Sequence, residues 1–202
     1  MSAERNNAGH AMLERRKLVR DLLVDRRDLM VVCGLGSATY DVAAAGDHPL
    51  NLYLWGAMGG AAMIGLGLAL AKPERRVTVL TGDGEALMGL GALATIGVKR
   101  PKNLVIVVLD NAHYGETGMQ ASHTKGGADL VAIAKGCGFA DALALTEQHG
   151  VARVRELLHT GPGPILVNAR ISSEETPRFL PVRDGHAIKL RFMQAANASG
   201  AA

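Results

Sequence analysis

Residues 76–98, RVTVLTGDGEALMGLGALATIGV, decide the fold, because an apolar run ends here in a glycine-rich turn and a second apolar segment follows it. Residues 76–81 predict a buried strand, and residues 85–98 predict a helix. The apolar runs 29–33 and 104–109 also end in glycine or polar residues. Continuous apolar strands that alternate with helices are typical of a parallel sheet covered on both faces.

The segments on either side of these strands continue the alternation. Ser37 is expected to cap a helix, and a loop is expected to span residues 112–127. Further strands are predicted at residues 142–145 and 165–169, and helices at residues 11–24, 37–45, 57–71, 129–135 and 147–159. The sequence therefore predicts an α/β fold, a doubly wound parallel sheet with helices on both faces.

The length of 202 residues suits one compact domain with a sizeable core. An N-terminal helix is expected over about 11–27 and the core over about 29–172. A C-terminal extension is expected over about 173–202, with its last residues frayed.

Composition and charge exclude several classes of partner. The net charge is only +3, with basic and acidic residues interleaved, and aromatic residues make up 3% of the chain, which argues against a nucleic-acid surface. The apolar stretch 56–71 is too short and too rich in glycine to span a bilayer, and residues 1–12 lack the apolar core of a signal peptide. Cys33 and Cys137 show no metal-type spacing and are expected to be buried free thiols. These features predict a soluble cytoplasmic protein.

A carboxylate follows the central strand where the predicted helix begins. Asp83 stands between two glycines, and the backbone N–H groups of Gly84 and Glu85 belong to a helix N-terminus suited to a phosphate. A carboxylate repels a phosphate unless a cation lies between them. Asp83 therefore predicts Mg²⁺ or Ca²⁺, which take oxygen ligands.

Further oxygen ligands follow the next strand. Asn111 lies 28 positions after Asp83, and its side-chain oxygen and a backbone carbonyl near His113 complete the predicted metal site. Taken singly, Asp83 is equally typical of a helix N-cap and Asn111 of a turn. The pair at two strand ends favours the metal site.

The stretch from Gly82-Asp83-Gly84 to Asn111 resembles the diphosphate and metal signature of thiamine diphosphate enzymes. Trp55-Gly56-Ala57-Met58-Gly59 resembles the segment that supports the bent cofactor in that family. The resemblance extends over residues 31–173. Residues 52–59 and 89–95 look most similar to the sulfopyruvate and phosphonopyruvate decarboxylases.

This resemblance implies thiamine diphosphate and Mg²⁺ as cofactors. It implies that the carbonyl of Gly56 accepts a hydrogen bond from the 4'-amino group and that Met58 wedges between the two rings of the cofactor. The residues it places against the cofactor are Gly36, Ser37, Gly56, Ala57, Met58, Gly82, Asp83, Gly84, Glu85, Asn111, His113, Tyr114 and Gly115.

Two residues depart from the family's pattern. Glu85 stands where many relatives have Ser or Ala, so we expect its carboxylate to point away from the phosphate, toward a basic neighbour, and only its backbone N–H to serve the cofactor. Asp110 replaces a common asparagine that is not a ligand.

Titratable side chains in the loop after the predicted strand 104–109 are candidates for proton transfer. His113 is the candidate for a substrate-facing catalytic residue, whereas Glu116 and His123 are equally typical of an inert surface loop. Met119 and Gln120 in the same loop fit either a pocket lining or ordinary packing.

The resemblance also implies what is missing. In this family a glutamate from a pyrimidine-binding domain activates the cofactor, and one sheet accounts for the whole of this chain. A separate pyrimidine-binding alpha subunit is therefore expected to supply that glutamate, in a heterotetramer or a larger hetero-oligomer. The predicted activity is decarboxylation of a small 2-oxo acid, by a chain that is active only with its partner.

Three alternatives stay open. The chain is also compatible with a subunit of a thiamine diphosphate carboligase of the acetolactate synthase type, or with a non-catalytic cofactor-binding partner. A nicotinamide-binding module is suggested by residues 34–39, but the third glycine of that fingerprint and the acidic residue after a second strand have no counterpart.

Overall fold

The computed structural model describes residues 12–174 and 176–198. Its main sheet contains six strands: β1 (Met30–Cys33), β2 (Asn51–Tyr53), β3 (Val77–Gly82), β4 (Leu104–Asp110), β7 (Asp141–Leu145) and β8 (Ile165–Arg170). All pair in parallel, in the order β2-β1-β3-β4-β8-β7. A separate antiparallel hairpin is formed by β5 (His113–Tyr114) and β6 (Gln120–Ala121).

Helices follow the strands along the chain. The α-helices are α1 (Arg15–Leu23), α2 (Ser37–Ala44), α3 (Ala61–Ala71), α4 (Asp83–Met88), α5 (Gly91–Lys99), α6 (Leu130–Gly136), α7 (Val151–Thr160) and α8 (Gly185–Asn197). Short 3₁₀ turns occupy Gly115–Thr117 and Gln148–Gly150. No helix within the described ranges is long and apolar enough to cross a membrane.

The sheet is covered on both faces, as predicted. Side chains alternate across a strand, so Val31 and Cys33 pack with α1, α2 and α7, whereas Met30 and Val32 pack with α3, α5, α6 and α8. Cys33 and Cys137 are free thiols, but only Cys33 is fully buried, and burial raises its pKa. The doubly wound α/β prediction is confirmed.

The order of the strands reverses between β1 and β3. From β1 the chain moves outward to β2, returns to β3 on the other side of β1, and then continues to β4. Open parallel sheets bind ligands at the carboxyl ends of strands beside such a reversal. The turns after β1 and β3 lie at this point, and the turn after β4 is adjacent.

Several predicted boundaries were wrong. The first helix begins at Arg15 because the Glu14 side chain caps it, while Leu13 forms a parallel bridge with Ile171. The predicted helix 85–98 is two helices, α4 and α5, and Gly89 at the break lies against the backbone of Gly59. The predicted helix 57–71 begins only at Ala61. Ser37 is the first residue of α2 rather than its cap, which is Gly36.

Three strands and one α-helix of the described residues were not predicted: β2, β5, β6 and α8. β2 and the hairpin β5–β6 are too short to give a periodic pattern. The extension beyond residue 173 contains α8, whose Phe192 and Ala196 join the core on one face of the sheet. The expectations that residues 1–12 form no signal peptide and that the last residues are frayed concern parts of the chain outside the described residues, apart from residue 12.

Candidate functional site

A cavity opens at the carboxyl ends of β1, β3 and β4. Ten of the predicted cofactor residues line it: Ser37, Met58, Gly82, Asp83, Gly84, Glu85, Asn111, His113, Tyr114 and Gly115. They come from four segments far apart in sequence, which follow β1, β2, β3 and β4. The fold thus brings together most of the predicted site, and it adds lining residues that were not predicted: Arg15, Leu35, Ala38, Leu109, Thr117 and Ile171, together with the predicted loop residue Glu116.

Asp83 is buried at the junction of β3 and α4. Its Oδ2 accepts a hydrogen bond from the hydroxyl of Ser122 at 2.5 Å, and the Thr124 hydroxyl lies 3.3 Å away. Burial raises the pKa of the Asp83 carboxyl; the Ser122 hydroxyl opposes this effect and the charge of Asp110 adds to it. The hydroxyl donors hold the carboxylate in place at the cavity wall. Neither Ser122 nor Thr124 was predicted, because no motif marks them.

Asp110 is fully buried behind this carboxylate. It accepts hydrogen bonds from the backbone N–H of Ala112 at 3.0 Å, from Thr124 at 2.8 Å and from Asn168 at 2.9 Å. Arg170 forms an ion pair with it at 2.9 Å. With four protein partners, Asp110 organises the turn after β4 and is not among the cavity-lining residues.

Asn111 and His113 form a compact turn at the cavity. Oδ1 of Asn111 accepts the backbone N–H of His113 at 3.0 Å, which leaves a second lone pair free. The imidazole Nδ1 lies 2.7 Å from the Asn111 carbonyl, and Nε2 lies 2.9 Å from Nζ of Lys125. A carbonyl only accepts, so the tautomer that satisfies both contacts carries its proton on Nδ1.

Tyr114 explains why residue 84 is a glycine. A Cβ at Gly84 would lie 2.5 Å from Cε1 of the Tyr114 ring. The hydroxyl of Tyr114 lies 3.3 Å from Nδ1 of His123, which orients the ring over the turn after β3. The predicted loop 112–127 therefore contains a folded hairpin, and this hairpin packs on the turn Gly82-Asp83-Gly84 after β3.

The segment 56–58 is placed differently from the rest of the predicted site. Gly56 and Ala57 are exposed and do not line the cavity, whereas Met58 lines it and is 39% exposed. A Met58 methyl carbon lies 3.7 Å from the position of a Cβ on Gly84. Met58 is therefore not a core residue of this chain, and it stands at the rim of the cavity.

The side chain of Glu85 does not point toward a basic neighbour, so that expectation was wrong. Its carboxylate is 4% exposed and accepts hydrogen bonds from the backbone N–H of Leu35 and from the Thr81 hydroxyl, both at 2.8 Å. The side chain thus turns back over the strand ends instead of outward.

Charged residues distant in sequence reach the same region. Glu116 accepts from Ser37 at 3.4 Å and pairs with Arg178 at 3.1 Å. Arg15 pairs with the buried Asp41 and donates to Thr176 at 2.7 Å. Gly36, at φ +70, is in contact with Glu116: a Cβ there would lie 2.8 Å from its Cγ. Sequence reasoning missed Arg15 and Arg178 because only the packing of the two chain ends brings them here.

The side-chain oxygens at the cavity suit a hard cation such as Mg²⁺ whose remaining ligands are also oxygen atoms. In the part of the chain that the structure describes, no three His, Cys, Asp or Glu side chains come together as a metal cage. Asp83 and Asn111 offer a carboxylate and an amide oxygen to the same cavity. Mg²⁺ is commonly held by one or two protein carboxylates while phosphate and water oxygens complete its octahedron. The residues present therefore fit a magnesium diphosphate.

Comparison with protein families gives a match to the thiamine pyrophosphate enzyme, C-terminal TPP binding domain, over residues 34–169. The chain is 36% identical over 172 residues to the sulfopyruvate decarboxylase subunit beta of Methanocaldococcus jannaschii, covering 82% of this chain and 87% of that protein. It is 44% identical over 128 residues to the Methanothermobacter thermautotrophicus subunit of the same name, covering 63% and 68%.

Two further similarities involve proteins of which this chain covers only about a third. The phosphonopyruvate decarboxylase of Streptomyces viridochromogenes is 39% identical over 145 residues, which span 72% of this chain and 36% of that protein. A solved structure of a protein from Mycobacterium smegmatis superposes with a TM-score of 0.65 at 20% identity, covering 86% of this chain and 37% of that one. At this identity the superposition shows the fold alone.

Proposed function

This chain belongs to the thiamine pyrophosphate enzymes, whose C-terminal TPP-binding domain it carries over residues 34–169, and we propose that it is the diphosphate- and Mg²⁺-binding subunit of a two-subunit 2-oxo acid decarboxylase. The observation that carries the proposal is the cavity at the strand-order reversal, where Asp83 and Asn111 face the same space from the ends of β3 and β4. The relatives named as sulfopyruvate decarboxylase beta subunits support the reaction and the two-subunit organisation.

In this proposal the metal ligands are the side chains of Asp83 and Asn111 and the backbone carbonyl of His113. The diphosphate lies against Gly36, Ser37 and the turn that begins at Gly82. When bound, thiamine diphosphate supplies the carbon nucleophile and the electron sink for decarboxylation. The residues of this chain neutralise the charge of the diphosphate through the metal, orient the cofactor and hold the adjoining loops.

The pyrimidine end of the cofactor is assigned to the exposed segment at the rim of the cavity. Gly56, Ala57 and Met58 are solvent-exposed, as expected for residues that a partner subunit covers. We propose that this partner is a pyrimidine-binding alpha subunit that supplies the catalytic glutamate. The chain alone should therefore bind the cofactor weakly and release no CO₂ from a 2-oxo acid.

His113 is proposed to face the substrate. Its imidazole lines the cavity and is oriented by the Asn111 carbonyl on one nitrogen and by Lys125 on the other. His113→Ala should leave cofactor affinity nearly unchanged, because only its backbone carbonyl is assigned to the metal. The assembled enzyme should instead lose rate or substrate affinity, and wild-type kinetics would remove His113 from the mechanism.

The metal assignment is tested by Asp83→Asn, which keeps the shape and an acceptor for Ser122 but removes the charge. Calorimetric titration with thiamine diphosphate should lose its Mg²⁺ dependence in this variant and in Asp83→Ala, with the fold retained. Asn111→Ala should weaken binding less. Asp141→Asn, an exposed aspartate in β7, is the matched control. Unchanged Mg²⁺-dependent binding in Asp83→Asn would refute the assignment.

Co-purification with a partner subunit tests the split enzyme. The complex should release CO₂ from a 2-oxo acid that carries a second acidic group, because the sulfopyruvate and phosphonopyruvate decarboxylases that resemble this chain are named for such acids. Decarboxylation of a 2-oxo acid leaves an aldehyde. If the complex instead made a product with a new carbon–carbon bond, a carboligase would be favoured. Robust turnover by the purified single chain would refute the two-subunit proposal.

A further inference from the structure

We propose that the side chain of Glu85 is a positioning residue that holds the loop after β1 in the conformation that receives the diphosphate. This inference rests on the function proposed above and assigns the carboxylate of Glu85 no contact with the cofactor. It differs from the backbone role expected for residue 85, because it concerns the carboxylate itself.

The carboxylate joins two loops that are fifty positions apart. Oε2 accepts the backbone N–H of Leu35 in the loop after β1 and the hydroxyl of Thr81 at the end of β3, both at 2.8 Å. Leu35 directly precedes Gly36 and Ser37, the residues assigned to the diphosphate. A single carboxylate oxygen therefore links the loop after β1 to the end of β3, beyond the last backbone hydrogen bond between the two strands.

The neighbouring backbone is built around this contact. A Cβ on Gly34 would lie 2.1 Å from Oε2 of Glu85, so only glycine lets the carboxylate reach Leu35. Gly34 itself is tied through its N–H to the Leu80 carbonyl at 2.7 Å and through its own carbonyl to the Thr39 hydroxyl at 2.9 Å. Leu35, one residue further along, depends on Glu85 for its acceptor.

The second carboxylate oxygen of Glu85 distinguishes direct contact with the diphosphate from a role in holding the loop at Leu35. Oε1 is buried and has no hydrogen-bond partner among the described residues. A diphosphate has acceptor oxygens only, so it cannot satisfy Oε1, and direct contact between the two would be repulsive. The favourable contribution of Glu85 therefore comes from accepting the Leu35 N–H, and its negative charge is not required for it.

This reasoning makes glutamine the decisive substitution. Glu85→Gln keeps an acceptor oxygen at the same reach and replaces the unpartnered oxygen with a donor amide. Glu85→Asp keeps the charge but is one methylene shorter, so it cannot span to Leu35. Glu85→Ala removes the contact altogether. Glu74→Ala, an exposed glutamate, is the matched control.

Two measurements on the full chain test the inference. In calorimetric titrations with thiamine diphosphate and Mg²⁺, Glu85→Ala and Glu85→Asp should lose about tenfold or more in affinity, equivalent to about 1.4 kcal/mol, while Glu85→Gln stays within about threefold of wild type. In cofactor-free protein, the Leu35 amide should exchange hydrogen faster in the first two variants and at the wild-type rate in Glu85→Gln.

The results of these measurements can overturn the inference about Glu85 separately from the proposed function. Wild-type affinity and Leu35 exchange in Glu85→Ala would overturn the inference while leaving the proposed function intact. A tenfold loss of affinity in Glu85→Gln would also overturn it, because the negative charge would then be required in addition to the acceptor. If Glu85→Ala does not fold, the Asp and Gln variants decide. A wild-type chain that binds no thiamine diphosphate would overturn the proposed function and the cofactor role of Glu85 together.

Discussion

The Ser122 hydroxyl donates a 2.5 Å hydrogen bond to Oδ2 of Asp83, and both residues are buried. This bond connects the segment after the β5–β6 hairpin to the start of α4. It places the hairpin over the cavity, because Ser122 directly follows β6 and its N–H also bonds to the Ala112 carbonyl at 2.9 Å. The position of the assigned metal ligand and the position of the hairpin are thus set by the same contact.

Ser122→Ala should destabilise the chain and weaken Mg²⁺-dependent cofactor binding. A hydrogen bond to a charged group contributes about 1.5–3 kcal/mol, and its loss leaves the buried carboxylate with one donor fewer. Urea denaturation should show a fall of about that size in the free energy of unfolding. Thr124→Ser, which keeps a hydroxyl beside both Asp83 and Asp110, is the control. Equal stabilities of Ser122→Ala and wild type would show that the contact contributes little.

Gly84→Ala should destabilise the chain and displace the Tyr114 ring, because the added methyl would lie 2.5 Å from that ring. Overpacking of this kind typically costs about 1–3 kcal/mol. Gly82→Ala is the matched control, since a Cβ there meets no heavy atom within 4 Å. Thermal denaturation should show a clear loss for Gly84→Ala and little change for Gly82→Ala. If the two variants melted alike, the packing of Tyr114 would not explain the glycine.

Met58→Ala should slow exchange of the C2 proton of thiamine diphosphate in the assembled complex. The reason is positioning: a large apolar side chain under the bent cofactor excludes straighter conformers, and small misplacements can cost on the order of a hundredfold. Because Met58 is 39% exposed, truncation should not carry the roughly 2–5 kcal/mol cost of a core methionine. Normal C2 exchange with a large drop in melting temperature would make Met58 a packing residue.

The stability of the chain should fall as the pH drops below about 6.5, in part because of His48. Burial lowers the pKa of His48, assisted by the charge of Arg26, and its Nδ1 accepts the Leu50 N–H at 3.1 Å. The carboxylate of Asp47 opposes this shift and Arg191 adds to it. The unfolded chain therefore takes up the proton at a higher pH than the folded chain does, so this contribution is fully present above the unfolded pKa and is lost as the pH falls from there through the folded pKa.

Urea denaturation at pH 7.5 and pH 5 measures this effect in the wild type and in His48→Asn. One group changes the free energy of unfolding by at most about 1.4 kcal/mol per pH unit. The variant should show a smaller loss at pH 5 than the wild type. Identical pH dependence in both would exclude His48 as a contributor; His159, whose pKa is also lowered by burial, is the second residue to substitute.

The sequence by itself determined the layered α/β fold and the location of the cavity. Strands such as 104–109 read as apolar throughout because they are buried on both faces, and that pattern is local. Asp83 and Asn111 were singled out for the same reason: each lies within two residues of the end of a buried apolar run. Parallel strands put their carboxyl ends at one edge, so local sequence was sufficient to bring the two together.

Only the tertiary structure decided what surrounds these residues. Glu85 reaches Leu35, Ser122 reaches Asp83, and Arg178 reaches Glu116 across 50, 39 and 62 positions. No periodicity encodes such pairings, because each depends on how loops and chain ends pack after the sheet has formed. The direction of a side chain at a turn is set by its long-range partners, whereas the existence of a buried strand is set by its own composition.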